Sequence, residues 1–129
     1  WNAWGQDVTV ADNPASNSVN TSSKVLRVAQ SSAFETAARN ETPIINPALA
    51  TKVSVDVYFE IAGQLKLQIE TPFETGYFLD VPAGEWVTIS YVFDADGVGA
   101  LNPDSDYPIM MFQGNTDGNY FLDNITYFE

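Results

Sequence analysis

Cysteine and histidine are both missing from this chain of 129 residues, and basic residues are scarce, with 5 Lys and Arg against 17 Asp and Glu. Without cysteine there is no disulfide, thiol nucleophile or thiolate zinc site; without histidine there is no imidazole triad or general base. The side chain that most readily changes charge near neutral pH is absent too. The net charge of −12 repels phosphate backbones, whose binding proteins draw affinity from Lys and Arg, so no nucleic-acid partner is expected. It also opposes anionic membranes and, less strongly, polyanionic glycans. No apolar run approaches the roughly 18–20 residues that span a bilayer, so no membrane insertion is expected. The opening Trp1-Asn2-Ala3-Trp4 carries no Met, basic stretch or apolar signal run, and reads as a mature or excised domain. What remains for chemistry is carboxylates, hydroxyls and oxygen-ligated metals.

What is present is β-sheet patterning. Hydrophobic residues make up 45% and aromatics 13%, enough for one core of the size that roughly 100–150 residues support, so residues 1–129 read as a single domain. Over Lys52–Phe59, Val53, Val55, Val57 and Phe59 alternate with Lys52, Ser54, Asp56 and Tyr58. Leu65, Leu67 and Ile69 alternate with Lys66, Gln68 and Glu70. Val87, Ile89, Tyr91 and Phe93 alternate with Trp86, Thr88, Ser90 and Val92. Period two places alternate residues on opposite sheet faces. Further strands are expected at Asp7–Ala11, Lys24–Gln30, Gly76–Val81, Tyr107–Gln113 and Asn119–Phe128, with turns at Ala62-Gly63, Pro82-Ala83-Gly84, Asp96-Gly97 and Asp117-Gly118. Ser31–Arg39 is open between a helical turn and loop, and Asp94–Asp106 reads as a long acidic loop. The fold class is all-β, an antiparallel sandwich of two packed sheets.

Three segments carry a resemblance. Asn13-Pro14-Ala15-Ser16-Asn17-Ser18-Val19-Asn20-Thr21-Ser22-Ser23-Lys24-Val25, Gly84-Glu85-Trp86-Val87-Thr88-Ile89-Ser90-Tyr91-Val92-Phe93 and Tyr120-Phe121-Leu122-Asp123-Asn124-Ile125 occur in this order across nearly the whole chain. Together they resemble jelly-roll carbohydrate-binding modules, nearest to families four, sixteen and twenty-two, of Bacteroidetes-type secreted proteins. Ser18 stands where the pattern has Gly and Asn124 where it has a second Asp. The acidic strand that usually precedes the first Trp is absent, which implies one edge strand fewer. The resemblance implies a bacterial secreted or cell-surface module, monomeric, within a larger multidomain protein and binding a polysaccharide or oligosaccharide without catalysis. It also implies a structural calcium ion beside the closing strand, with Asp123 as a ligand.

Sugars present C–H faces ringed by hydroxyls, so a binding sheet needs aromatic platforms and planar hydrogen-bonding groups. Tyr58 and Asp56 on one strand and Lys66, Gln68 and Glu70 on the next supply those types, with Arg27 placed to join the same face. Solvated charge pairs of little energetic weight are the bland alternative. Trp4 is either a stacking ring or a cap on the sandwich. Phe112 falls with Tyr107 and Met110 in an outward group if Ile109 and Met111 point inward. Phe34, Phe59, Tyr91 and Phe93 are expected in the core. Of Tyr77 and Phe78, one must face out. Trp86 is out of phase with its apolar neighbours, either exposed for stacking or, as the family implies, covering one end of the core. Asp94-Ala95-Asp96-Gly97 opens like a calcium loop but lacks the closing Glu of an EF-hand. Glu60, Glu70, Glu74 and Asp80 offer the paired carboxylates of a glycosidase, yet so many acids on a small sandwich make pairs by chance. The expected function is binding of a neutral β-glycan on a concave sheet face, targeting an attached enzyme or receptor. A spacer or protein-interaction module and a small carboxylate enzyme are the alternatives.

Overall fold

The computed structural model describes residues 2–40, 52–70, 75–92 and 109–128. Among them run ten strands: β1 (Asn2–Trp4), β2 (Asp7–Asp12), β3 (Lys24–Ala29), β4 (Ala37–Asn40), β5 (Lys52–Phe59), β6 (Gly63–Glu70), β7 (Thr75–Val81), β8 (Trp86–Val92), β9 (Ile109–Gly114) and β10 (Tyr120–Phe128). They form two five-stranded sheets, β1-β4-β9-β6-β7 and β2-β3-β10-β5-β8, with antiparallel pairing between strand neighbours. The strands expected from alternation are present among the described residues; Tyr107 and Pro108 of the expected β9 lie outside them. Ser31–Thr36 makes bends and a turn rather than helix. Phe93 and the segment Asp94–Asp106 lie outside the described residues.

Alternation explains the interior. Val53, Val55, Val57 and Phe59 of β5 face Leu65 and Leu67 of β6, and all six are fully buried. Each such aliphatic side chain contributes about 1.5–3 kcal/mol relative to exposure. Tyr91 and Tyr120 carry hydroxyls into this interior, where each must find an acceptor. The Tyr91 hydroxyl donates to the Leu65 carbonyl at 2.6 Å, and the Tyr120 hydroxyl to the Thr36 carbonyl at 2.6 Å. Both bonds cross from the second sheet to the first or to its flanking loop. Burial pushes both phenols above their ordinary value, so they remain donors.

The three-residue connection from β5 to β6 is an arch between sheets. Gln64 N–H donates to Asn115 Oδ1 at 2.6 Å, and Asn115 N–H to the Gln64 carbonyl at 3.0 Å. A Cβ on Gly63 would meet Thr116 Cγ2 at 2.2 Å. Only glycine lets the arch lie this close to the β9–β10 turn.

Candidate functional site

Each sheet has an inner face on the core and an outer face, and the paired residues expected to form one sugar-binding face belong to two different sheets. Asp56 and Tyr58 are on β5 in the second sheet; Lys66, Gln68 and Glu70 are on β6 in the first. The single patch expected from sequence therefore does not form. Strand parity is local, and it does not say to which sheet a strand belongs.

The outer face of the second sheet is covered around Trp86, Tyr58 and Asp56, while Thr88, Ser90 and Val92 of β8 stay exposed. Segment 13–23 folds over the covered part through side-chain amides that replace backbone turns. Asn13 Oδ1 accepts from Ala15 N–H at 3.0 Å, and Asn17 Oδ1 from Val19 N–H at 2.9 Å and Asn20 N–H at 3.0 Å. Below the segment, Trp86 is 1% exposed and donates its indole N–H to Asn13 Oδ1 at 2.8 Å. Tyr58 packs on Trp86 and Phe121, with ring centroids 5.8 Å from each. Trp86 is thus buried rather than exposed for stacking, in a cluster on the outer face and not at an end of the main core as the resemblance implied, and Tyr58 is a half-buried member of the same cluster. Arg27 is half-buried on β3, in register with Phe121.

Asp56 is buried and engaged. Its carboxylate accepts from Thr88 Oγ1 at 2.6 Å, Asn124 Nδ2 at 2.8 Å and Asn20 Nδ2 at 3.3 Å. Asp123 is its direct cross-strand partner and accepts from the same Asn20 amide at 2.8 Å. Two carboxylates facing each other repel, and the shared amide offsets that repulsion. Asn124, in the left-handed region at φ 47° in a β-bulge, aims its amide at Asp56.

The expected calcium site at Asp123 can be tested against its surroundings. The neighbouring hollow, about 330 Å³, offers one carboxylate, one amide and one ammonium, its other lining residues being aliphatic. Calcium takes six to eight oxygens. Among the described residues no three acidic side chains come together around one point. The side chains lining this hollow alone supply too few oxygens for the ion.

The outer face of the first sheet presents a different set. Lys66 is in register with Gln113 of β9 on one side and Phe78 of β7 on the other; in the next row Gln68 pairs with Met111. Gln68, Met111 and Gln113 are each less than a tenth exposed. Lys66 Nζ donates to Gln68 Oε1 at 2.6 Å and lies 5.8 Å from the Phe78 ring centroid, a cation–π contact. Of the adjacent Tyr77 and Phe78, Phe78 faces out at 47% exposure and Tyr77 is buried. Gln64 Nε2 donates to Asp80 Oδ1 at 3.0 Å one row away.

Above this row sits Phe34, which the sequence placed in the core. It is 39% exposed, with its ring edge-on to Phe78 at 6.3 Å. Its φ is 60°, a region that bulky side chains rarely occupy and that costs about 1–2 kcal/mol. Surrounding bonds impose the conformation. Phe34 N–H donates to the Gly114 carbonyl at 2.9 Å, and Gln113 Nε2 to the Phe34 carbonyl at 3.3 Å. The Glu35 carboxylate accepts from Ser31 N–H at 2.6 Å, Ser31 Oγ at 2.9 Å, Ser32 N–H at 3.1 Å and Gln6 Nε2. These bonds, led by that from Ser31 N–H, hold the Glu35 carboxyl below its ordinary pKa. The Gln30 amide, itself buried, donates to the Gly114 and Thr116 carbonyls at 3.0 and 2.6 Å.

Of the other expected site residues, Phe112 is a correction. Its partners Leu67 and Ala38 both face inward, so its ring is fully buried beside Tyr91, while Met111 takes the outer phase. Trp4 pairs with Ala37 on edge strand β1, and Glu70 with Ile109; their side chains lie outside the described set. Phe34, Gln113 and Met111 were not singled out as binding residues. The Ser31-Ser32-Ala33-Phe34-Glu35 run hinted at a turn, but nothing in it marks a left-handed phenylalanine.

No family model matches the chain, and no curated protein does. Solved structures do. The CBM22-1-GH10 modules of endo-1,4-beta-D-xylanase 10B from Clostridium thermocellum, complexed with xylohexaose, superpose with a TM-score of 0.68 at 20% identity, over 100% of this chain and 26% of that one. The family 11 carbohydrate-binding module from Clostridium thermocellum, in complex with a beta-1,3-1,4-mixed-linked tetrasaccharide, gives 0.60 at 17% identity, over 99% and 88%. A xylan-binding domain of family 22 gives 0.62 at 17%, over 99% and 85%. The fold is the jelly-roll β-sandwich of carbohydrate-binding modules, as the sequence resemblance implied.

Proposed function

We propose that this domain binds a polysaccharide noncovalently, without catalysis, on the outer face of the first sheet. One observation carries the reading: an exposed phenylalanine is held in a left-handed backbone, edge-on to a second exposed phenylalanine, over a row of amides and one ammonium. Strain of this kind persists only where the surroundings enforce it, and it concentrates at functional positions. The rings supply apolar area for a sugar face; Lys66, held by the buried Gln68, supplies a polar group beside them. The likeness to modules solved with bound oligosaccharides supports the same reading. On the opposite outer face, segment 13–23 lies over the Trp86 region.

The net charge of −12 favours a β-glycan whose backbone is neutral over one charged at every residue. The module serves to hold an attached enzyme or receptor on substrate, in a secreted or cell-surface bacterial protein. Affinity is modest, since one small face buries little area and hydroxyls merely exchange water for protein. Affinity electrophoresis against xylan, mixed-linkage glucan, β-1,3-glucan and galactan tests this. The expected result is retardation on at least one gel, lost in Phe34→Ala and Phe78→Ala with the fold intact by circular dichroism. Unchanged mobility on every gel refutes binding; release of reducing sugar from any of them refutes the non-catalytic part.

A further inference from the structure

Among the described residues Lys66 is a cation with no anion beside it. Its ammonium has three N–H donors. One goes to Gln68 Oε1 at 2.6 Å, and the Phe78 ring stands 5.8 Å away. No carboxylate among the described residues pairs with it, in a chain where acids outnumber bases 17 to 5. The contrast is with Lys24, equally a strand residue, which makes an ion pair with Asp12. Asp80 is diagonal to Lys66 across the β6–β7 pair, yet its carboxylate accepts from Gln64 at 3.0 Å. Lys66 is also half-buried, in a row between Gln113 and Phe78 and within reach of the Phe34–Phe78 pair. A partly desolvated ammonium gains more from an anion than an exposed one does.

Resting on the sugar-binding reading above, we propose that this face selects a glycan bearing sparse anionic substituents, a carboxylate or a sulfate ester, one of which docks on Lys66. The distinction from a polyanion is physical. The acidic surface repels a chain charged at every residue over several ångströms, the screening length being about 8 Å at physiological salt. An isolated substituent on a neutral backbone meets that field once and is met by Lys66 at contact. The two remaining N–H donors of Lys66 suit two oxygens of one substituent, whereas a neutral hydroxyl uses one. Phe78, beneath the ammonium, fixes it from the opposite side.

The test compares two matched pairs of polysaccharides on the whole domain by affinity electrophoresis: glucuronoxylan against the same polymer after carboxyl reduction, and a sparsely sulfated galactan against its desulfated form. One acidic member should bind about fivefold tighter than its neutral counterpart, and which pair does so tells carboxylate from sulfate. The preference should fade in 0.5 M salt (on the order of a 4 Å screening length), survive in Lys66→Arg and vanish in Lys66→Met. Equal affinity within both pairs overturns the proposal while leaving sugar binding in place. So does a preference that Lys66→Met retains at unchanged melting temperature. Mobility unchanged by every polymer removes the binding function itself, and this inference with it.

Discussion

Phe34 offers the sharpest check, because its backbone and its ring predict opposite consequences for stability and binding. At φ 60° any residue with a Cβ costs about 1–2 kcal/mol, and glycine costs none. At an ordinary site alanine is more stable than glycine by about 0.4–1 kcal/mol, through the unfolded chain. At position 34 the order should invert, with Phe34→Gly more stable than Phe34→Ala by roughly 0.5–1 kcal/mol. For a domain of this size that is about 2–4 °C in Tm. Against wild type, Phe34→Gly loses the edge-on contact with Phe78, about 0.5–1.5 kcal/mol, and regains the strain, so it should melt close to the parent. Both variants lose the sugar platform, and their affinity should fall about five- to tenfold. Thermal melts of the three proteins, with affinity electrophoresis on the best-bound polymer, decide the matter. Alanine melting above glycine would refute the left-handed conformation. Undiminished affinity in both variants would refute the ring's role.

Three further outcomes follow from the same geometry. The Glu35 carboxyl is held below its ordinary value of 4.5 by Ser31 first, then Ser32 and Gln6. Its contribution is therefore complete above pH 4.5 and lost as pH falls through the lowered value, so glycan affinity should drop on the acid side and Glu35→Gln should flatten that drop. Tyr58→Ala should lower stability by about 2 kcal/mol through its contacts with Trp86 and Phe121 and leave affinity unchanged; weakened binding at unchanged stability would return Tyr58 to the site. Asn20→Ala removes the amide shared by Asp56 and Asp123 and should cost about 2–3 kcal/mol by urea unfolding, again without effect on affinity.

The fold was legible because its evidence is local. Val53, Val55, Val57 and Phe59 announce one buried face whatever lies across from them, and all four are fully buried. The phase of Trp86 against Val87, Ile89 and Tyr91 marked it as belonging to the other side, where it lies under segment 13–23. Phe112 was misread for the same reason that β5 succeeded. In Ile109-Met110-Met111-Phe112 every residue is apolar, so the run carries no parity, and only pairing with Leu67 and Ala38 fixes which ring turns inward.

The site was less legible because it depends on where strands go. A three-residue link with a following glycine, such as Glu60-Ile61-Ala62-Gly63, reads as a hairpin that keeps β5 and β6 side by side. The fit of Gly63 against Thr116 makes it an arch instead, and Lys66 departs from Asp56 to the opposite side of the molecule. That one crossing has two consequences. It leaves Asp56 to be satisfied by Asn20, Asn124 and Thr88, which takes that carboxylate out of reach of a ligand. It also separates Lys66 from Asp56, and sets the ammonium beside Phe78 with donors to spare. The residue types needed to hold a sugar were visible in the sequence; the separation of Lys66 from Asp56, on which the proposed selectivity at this face depends, arises only when the chain crosses between sheets.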